Sequence, residues 1–487
     1  MKVLVEALSS KGHNITVLRP VDSWFIKESP NYTTINIPAM SSNEKIMTDF
    51  AAKMTKMSLE PFSVWEYINR VSEVLNYFYQ KHQSVVNVVR EMFENNTFMQ
   101  ELREAKFDLV LTDPAVLSGV LMAHRLELPL VLVARWTMAG DGHSLIAPSL
   151  LSYIPMPSIF TDKMTFSERV KNMLQYFLIN LQILNVLDSN YNPIVQHYFG
   201  SDIQYSELVQ AADIWLMRID FTFEFPRPTM PNIVYIAGYP CKPPKPLPHN
   251  LEDFVQSSGE HGVVIMSLGT LVAQLPDHVV EEIAAAFSKL PQKVIWRHKG
   301  KRPVNLGNNT LLSDWLPQSD LLGHPKTKVF VGHGGTNGIQ EAIYHGVPLV
   351  GLPLMHDQRD NFGRMEVRGV AKVLDIATLN RDNFLQALQE VLYNPSYREK
   401  MKILSKIHRD TPLNPLDTAV FWVEFVMKHK GAKHLRSESY KLSFLQYHCI
   451  DVIVFLIVVT LLCVAVVVAV LNCLWRLICN KGKLKKQ

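Results

Sequence analysis

Residues 329–361 read VFVGHGGTNGIQEAIYHGVPLVGLPLMHDQRDN. A short β-branched and aromatic run, Val329–Gly332, stops at Gly332-His333-Gly334-Gly335. A helical stretch follows over Gly338–His345, then a second apolar run, Pro348–Pro353. Strand, glycine turn, helix and strand in this order form the unit of a doubly wound parallel sheet. Glycines at such a turn let backbone N–H groups approach a ligand, and the helix amino terminus adds roughly half a positive charge. That makes a diphosphate cradle, with His333 as an added donor. A glycine turn before a helix also serves packing alone, and this one is neither GxGxxG nor a P-loop.

The neighbouring residues favour a ligand. Glu341 lies early in the helix, where a carboxylate can take both hydroxyls of a ribose. Asp357-Gln358 follow the next strand and can accept from and donate to sugar hydroxyls. Upstream, Trp315-Leu316-Pro317-Gln318 also follow a strand; the indole can stack on a base and Gln318 can hydrogen-bond ribose or base. Stacking, ribose, diphosphate and sugar functions, each at a strand end, describe a nucleotide-sugar pocket.

Outward from this stretch the alternation continues. Val263–Ser267, Lys293–Arg297, Thr310–Ser313, Lys328–Gly332, Pro348–Pro353 and Ala371–Asp375 read as strands, with helices such as His278–Leu290 between them. In the first half Phe107–Leu111 reads as a strand ending at Thr112-Asp113-Pro114, followed by a helix and the strand PLVLVA. Residues 1–20 read helix then strand, and 45–105 mainly helix. Residues 173–187 are strongly apolar but too short to span a bilayer, so they read as a buried core helix or an interfacial segment. Between the two halves, residues 226–248 hold eight prolines and read as a linker.

The chain has 487 residues, 47% hydrophobic and 19% charged, which excludes a disordered or collagen-like chain. Five cysteines without a CxxC pair argue against a disulfide framework or a zinc site. From Val452 to Leu471 no residue is charged, enough to span a bilayer. The net charge is +4, yet Arg476, Lys481, Lys483, Lys485 and Lys486 sit in an acid-free tail. The rest of the chain is therefore near neutral, which implies no nucleic-acid partner. The positive-inside rule puts the tail in the cytosol and the body on the other side; since MKVLVEALSS does not read as an export signal, the alternative is a tail-anchored protein with a cytosolic body. Sequons at Asn14, Asn31, Asn95 and Asn308 fit a lumenal body. The expected division is 1–225, an acceptor domain; 226–248, the linker; 249–430, a nucleotide-sugar domain; 431–450, a juxtamembrane segment; 451–475, a membrane helix; and 476–487, a basic tail.

The run WLPQSDLLGHPKTKVFVGHGGTNGIQEAIYHGVPLVGLPLMHDQRDN resembles the signature of the UDP-glycosyltransferases, most closely the vertebrate UDP-glucuronosyltransferases. DFVQSSGEHGVVIMSLGT, PLDTAVFWVEFVMKHKGAKHLR and the anchored basic tail extend the resemblance along the whole chain. It implies a GT-B fold of two Rossmann-like domains plus one carboxy-terminal transmembrane helix. UDP-glucuronate would be a co-substrate, with no other cofactor and no metal. Trp315 and Gln318 would contact uracil and ribose, and Glu341 the ribose. Ser267, His333, Asn337 and Gly338 would hold the diphosphate; Asp357 and Gln358 the sugar hydroxyls. Arg297 would line the pocket near the nucleotide, and Arg218 would recognise the glucuronate carboxylate, a geometric match for a guanidinium.

The resemblance further implies inverting transfer onto hydroxyls of small lipophilic acceptors in the endoplasmic reticulum membrane, as a single-pass type I protein, with oligomers among related transferases. The terminal lysines resemble a retrieval signal for that compartment, and equally a generic basic stop-transfer flank. The family uses a His–Asp pair, and Asp113 matches its aspartate. The matching histidine would precede Met1, as would a signal peptide and first strand, so the expectation is an amino-terminally truncated form lacking normal transferase activity. Alternatives are UDP-glucose, UDP-galactose or UDP-N-acetylglucosamine as donor, or a non-catalytic isoform that binds UDP or dimerises.

Overall fold

The computed structural model describes residues 1–21, 28–37, 41–60, 63–137, 140–155, 160–270, 275–355 and 357–484. The chain divides into two compact units, Met1–Leu435 and Arg436–Gln487.

Within the first unit the larger sheet has six strands. In spatial order they are Thr310–Ser313, Lys293–Arg297, Val263–Ser267, Thr327–Gly332, Leu349–Gly351 and Ala371–Val373. All neighbours pair in parallel. Period-two alternation sends Val264, Met266, Val294, Trp296, Val329 and Val331 to one face. There they meet Val279, Val280, Ile283 and Phe287 of the helix Asp277–Phe287, and Phe384, Leu388 and Val391 of the helix Arg381–Tyr393. The order of winding reverses between Val263–Ser267 and Thr327–Gly332, which opens a crevice at their carboxyl ends.

The smaller sheet has four parallel strands in the order Val110–Thr112, Leu130–Ala134, Ile214–Met217 and Ile233–Tyr235. Its central strands are buried throughout, which explains their unbroken apolar sequence. One face is covered by the helix Lys2–Ser10, through Leu4 and Leu8, and by the helix Pro415–His429, through Ala419, Val420, Val423 and Val426.

Three features depart from the expected organisation. The helix Pro415–His429, placed by sequence within 249–430, packs on the smaller sheet because its apolar stripe matches that sheet's open face. Ile233–Tyr235, inside the expected linker 226–248, is an edge strand; the stretch between Pro231 and Pro240 keeps its backbone donors and can pair. The first strand of this sheet begins at Val110 rather than Phe107, after a turn with Lys106 at φ 50°.

The expected helical region comprises Ser41–Ser58, Val64–Glu94 and Asn96–Glu104. Residues 173–187 fall inside one long helix, Phe166–Phe199, opened by a Thr165–Glu168 capping box. Its first half leaves Phe166, Val170, Met173, Leu174, Phe177 and Leu178 exposed, whereas Leu187, Tyr191, Ile194 and Val195 are buried. The segment 173–187 is therefore not a fully buried core helix: Met173, Leu174, Phe177, Leu178 and Leu184 are exposed and Leu187 is buried.

The second unit is dominated by the helix Ile450–Leu484. Its stretch Ile450–Arg476 is long and apolar enough to cross a membrane. The helix runs on past the expected boundary at 475, since leucine, arginine and lysine are good helix formers. Residues 485–487 of the basic tail, with Lys485 and Lys486, lie outside the described residues.

Candidate active site

At the switch point of the larger sheet a cleft of about 530 Å³ opens against the carboxyl ends of the smaller sheet. The first half contributes Asp113, Ala115, Arg135, Trp136 and Arg218. The second contributes Ser267, Arg297, Trp315, Gln318, His333, Asn337, Gly338, Asp357 and Gln358 among others. Every residue singled out in the sequence therefore lines one cleft except Glu341. Glu341 stands behind Gln318, whose Nε2 donates to its Oε2 at 2.6 Å. Burial raises the Glu341 carboxyl, Gln318 opposes the shift and Asp320 adds to it.

The glycine turn is dictated by space as well as by conformation. Gly334 has φ +93°, and a Cβ there would lie 2.7 Å from the Gln358 carbonyl oxygen. Gly269 has φ +78°, and its Cβ would fall 2.7 Å from His333 Cε1. The turn thus presses backbone and imidazole together in front of the helix Thr336–His345, which has Gly335 as its N-cap. His333 is pushed down to about 4 by burial, opposed by Asp357 and by the main chain of Ser267. Its Nδ1 is buried without a partner among the described residues. A buried orphan nitrogen at a helix amino terminus suits an anion.

Beside it, the Arg218 Nη2 donates to Asn337 Oδ1 at 2.7 Å, so a guanidinium from the first half reaches the cradle of the second. Gln340 Nε2 donates to the Arg218 carbonyl at 2.5 Å. Arg297 is held by Gly269 O at 2.5 Å and Asp314 O at 3.1 Å. Trp315 is 70% exposed, leaving its indole face open for stacking.

Asp357 and Gln358 are more constrained than their sequence shows. Gln358 Oε1 accepts from the backbone N–H of Leu354 at 2.8 Å and of Met355 at 3.0 Å. Its oxygen is committed to the turn, so its Nε2 is the group left to donate. Asp357 Oδ2 accepts from Asn361 Nδ2 at 2.7 Å, Trp136 Nε1 at 3.3 Å and Thr336 Oγ1 at 3.4 Å.

On the opposite wall Asp113 Oδ1 accepts from the Ala115 N–H at 2.9 Å. Burial raises its carboxyl, against the opposing fields of that N–H, Arg218, Lys81 and the Met1 amino group. The nearby histidines are engaged elsewhere. His13 pairs with Glu424 at 3.1 Å, His82 with the Tyr191 hydroxyl at 2.7 Å, His124 with Leu208 O at 2.8 Å, and His143 with the Tyr235 hydroxyl at 2.9 Å. Among the described residues no histidine is hydrogen-bonded to Asp113.

Sequence reasoning missed Arg135, Trp136, Thr336, Asn361 and a buried ion network. Arg135 Nη1 meets Glu224 Oε1 at 2.7 Å, Arg364 Nε meets Glu224 Oε2 at 3.0 Å, and Arg364 also pairs with Asp360. Trp136 lies two residues past the strand Leu130–Ala134, so the strand-end rule that found Trp315 would have found it. The ion network joins positions far apart in sequence, with no spacing to reveal it.

The family profile described as "UDP-glucoronosyl and UDP-glucosyl transferase" matches residues 1–485. UDP-glucuronosyltransferase 2A2 of Mus musculus is 42% identical over 499 residues, covering 100% of this chain and 93% of the relative. UDP-glucuronosyltransferase 2B16 of Oryctolagus cuniculus is 41% identical over 497 residues, covering 100% and 94%. Among solved structures, CalG4, the calicheamicin glycosyltransferase, superposes with a TM-score of 0.59 at 15% identity, over 88% of this chain and 94% of its own. UDP-glucose: anthocyanidin 3-O-glucosyltransferase in complex with UDP gives a TM-score of 0.57 at 14% identity, over 88% and 95%. These structures share the GT-B fold expected from the sequence. The chain is a glycosyltransferase and belongs to the UDP-glucuronosyl and UDP-glucosyl transferase family.

Proposed function

We propose that the cleft transfers glucuronic acid from UDP-glucuronate to small lipophilic acceptors, inverting the anomeric centre. The observation that carries this reading is the meeting of Arg218 with Asn337 at 2.7 Å, at the mouth of the glycine turn. A guanidinium there has the fork geometry for the carboxylate that distinguishes glucuronate from neutral hexoses.

In this reading Trp315 stacks on the uracil, and Gln318 with Glu341 takes the ribose. Ser267, His333, Asn337 and Gly338 hold the diphosphate, and Arg297 lines the nucleotide end. Asp357 accepts from the sugar hydroxyls and the Gln358 amide donates to them. The acceptor oxygen attacks the anomeric carbon from the face opposite the diphosphate. The bond from that carbon to the diphosphate oxygen breaks, and the electron pair leaves with UDP into the helix terminus and His333. The acceptor proton passes to a general base on the Asp113 side, in the family's His–Asp pair the histidine, whose developing positive charge this carboxylate stabilises. No metal ion or cofactor takes part in this scheme.

The setting fits acceptors that partition from lipid. The exposed apolar half of the helix Phe166–Phe199 and the separate apolar helix Ile450–Arg476 both suit a membrane surface. The four sequon asparagines, Asn14, Asn31, Asn95 and Asn308, are exposed, which supports a lumenal body with a cytosolic tail in the endoplasmic reticulum.

The test offers UDP-glucuronate, UDP-glucose, UDP-galactose and UDP-N-acetylglucosamine to the natural full-length protein in its membrane with a phenolic acceptor. Preference for UDP-glucuronate, reduced by Arg218→Gln, is the expected result. Turnover of UDP-glucose without turnover of UDP-glucuronate would refute the donor assignment.

A further inference from the structure

Asp357 accepts three hydrogen bonds on one oxygen. Oδ2 takes Asn361 Nδ2 at 2.7 Å, Trp136 Nε1 at 3.3 Å and Thr336 Oγ1 at 3.4 Å. Two of these donors, Asn361 and Thr336, come from the same half of the body as Asp357. The third comes from the other half, 221 residues away in sequence. Loading one oxygen in this way restrains the carboxylate's rotation in the cleft that both Trp136 and Asp357 line.

Trp136 is itself held. The Arg135 guanidinium lies 4.8 Å from its ring centroid, within cation–π range. Arg135 is anchored by Glu224 at 2.7 Å and reaches Asn361 Oδ1 at 3.4 Å. Asn361 in turn donates to Gly334 O at 2.9 Å, in the glycine turn. A closed circuit therefore runs from the indole through Arg135 and Asn361 back to Asp357.

We propose that Trp136 is a donor-sugar positioning residue supplied by the acceptor half, orienting the Asp357 carboxylate to receive the sugar hydroxyls. This rests on the nucleotide-sugar reading above. Its consequence is selective. Trp136 acts on the sugar end of the donor, while the uracil, ribose and diphosphate contacts lie on other residues. Losing the indole N–H removes the restraint on the carboxylate that comes from the acceptor half, so the variant binds UDP normally and UDP-sugar poorly.

Isothermal titration of the full-length protein in detergent, with UDP and with whichever of the four UDP-sugars binds wild type tightest, tests this. Trp136→Phe keeps the ring, and Trp136→Leu removes ring and donor together. Either variant is expected to keep its UDP affinity within about twofold and to lose about tenfold for the UDP-sugar, the scale of one hydrogen bond to a charged group. In an Asp357→Asn background the Trp136→Phe loss should shrink, because the two residues act as a unit. Unchanged UDP-sugar affinity in Trp136→Phe overturns the proposal. So does an equal loss for UDP and UDP-sugar in both variants, which would make Trp136 a support for the whole site. Failure of the wild-type protein to bind UDP at all overturns the nucleotide reading and this proposal with it.

Discussion

Replacing His333 with glutamine is expected to abolish a rise in donor affinity as the pH falls. In the free protein burial holds this imidazole down at about 4, even though Asp357 and the Ser267 main chain pull the other way. Its Nδ1 is buried with no hydrogen-bond partner among the described residues. A diphosphate placed against that nitrogen supplies both a negative charge and an acceptor, and each favours the protonated ring. If the bound ring returns to its ordinary value of about 6.5, linkage makes donor affinity about fourfold higher at pH 6 than at pH 8, and about 30-fold higher at pH 5. About 0.9 proton should be taken up on binding at pH 5.5. A UDP-sugar is the right titrant, because both ends of its diphosphate are esterified and it does not ionise in this range. Titration in two buffers of different ionisation enthalpy reads the proton directly. Raised carboxyls such as Glu341 contribute equally in wild type and His333→Gln, so the ratio of their affinities isolates the ring. A ratio that stays flat from pH 5 to 8, or binding without proton uptake, would refute the reasoning.

Other expectations follow from the same geometry. His82 is pushed down to about 3 and His345, like His333, to about 4, each first by burial. The folded state then binds fewer protons than the unfolded one, so stability should be full above about pH 6.5 and fall as the pH drops towards 4, seen as lower urea midpoints. Gly334→Ala forces a Cβ to within 2.7 Å of the Gln358 carbonyl at a φ of +93°, and should cost about 1–3 kcal/mol with loss of UDP binding; a wild-type denaturation midpoint and UDP affinity would contradict this. Glu341→Gln should weaken UDP about tenfold but leave 2′,3′-dideoxy-UDP unaffected, and equal losses for both nucleotides would remove the ribose assignment. Glu224→Ala leaves Arg135 and Arg364 buried with a carboxylate missing, at a cost of about 3–5 kcal/mol, and an unchanged midpoint would show the network to be unimportant.

The larger sheet was legible because its strands are short apolar runs of one kind, punctuated by glycine and proline. The Gly332–Gly335 turn announced itself, since only glycine fits Gly334. Site residues clustered at strand ends, where a doubly wound sheet gathers its ligands, and so Trp315, His333, Asp357 and Gln358 could be read in order. What stayed hidden depended on distance in the fold. Glu224 meets Arg364 across 140 residues, and no local pattern marks either as a partner. Ile233–Tyr235 was masked by the prolines around it. The apolar stretch 173–187 left a core helix and an interfacial segment both open, and burial is what shows Met173, Leu174, Phe177 and Leu178 exposed.

The pairing of the helices Lys2–Ser10 and Pro415–His429 on one sheet face bears on the order in which the protein is made. Leu4, Leu8, Val131 and Leu216 emerge early from the ribosome, but Val420, Val423 and Val426, which complete their cover, come about 200 residues later. At 5–20 residues per second the first half waits roughly 10–40 s with a strip of apolar surface exposed. The first half of the nascent chain therefore reaches its final packing only after the nucleotide half has been synthesised.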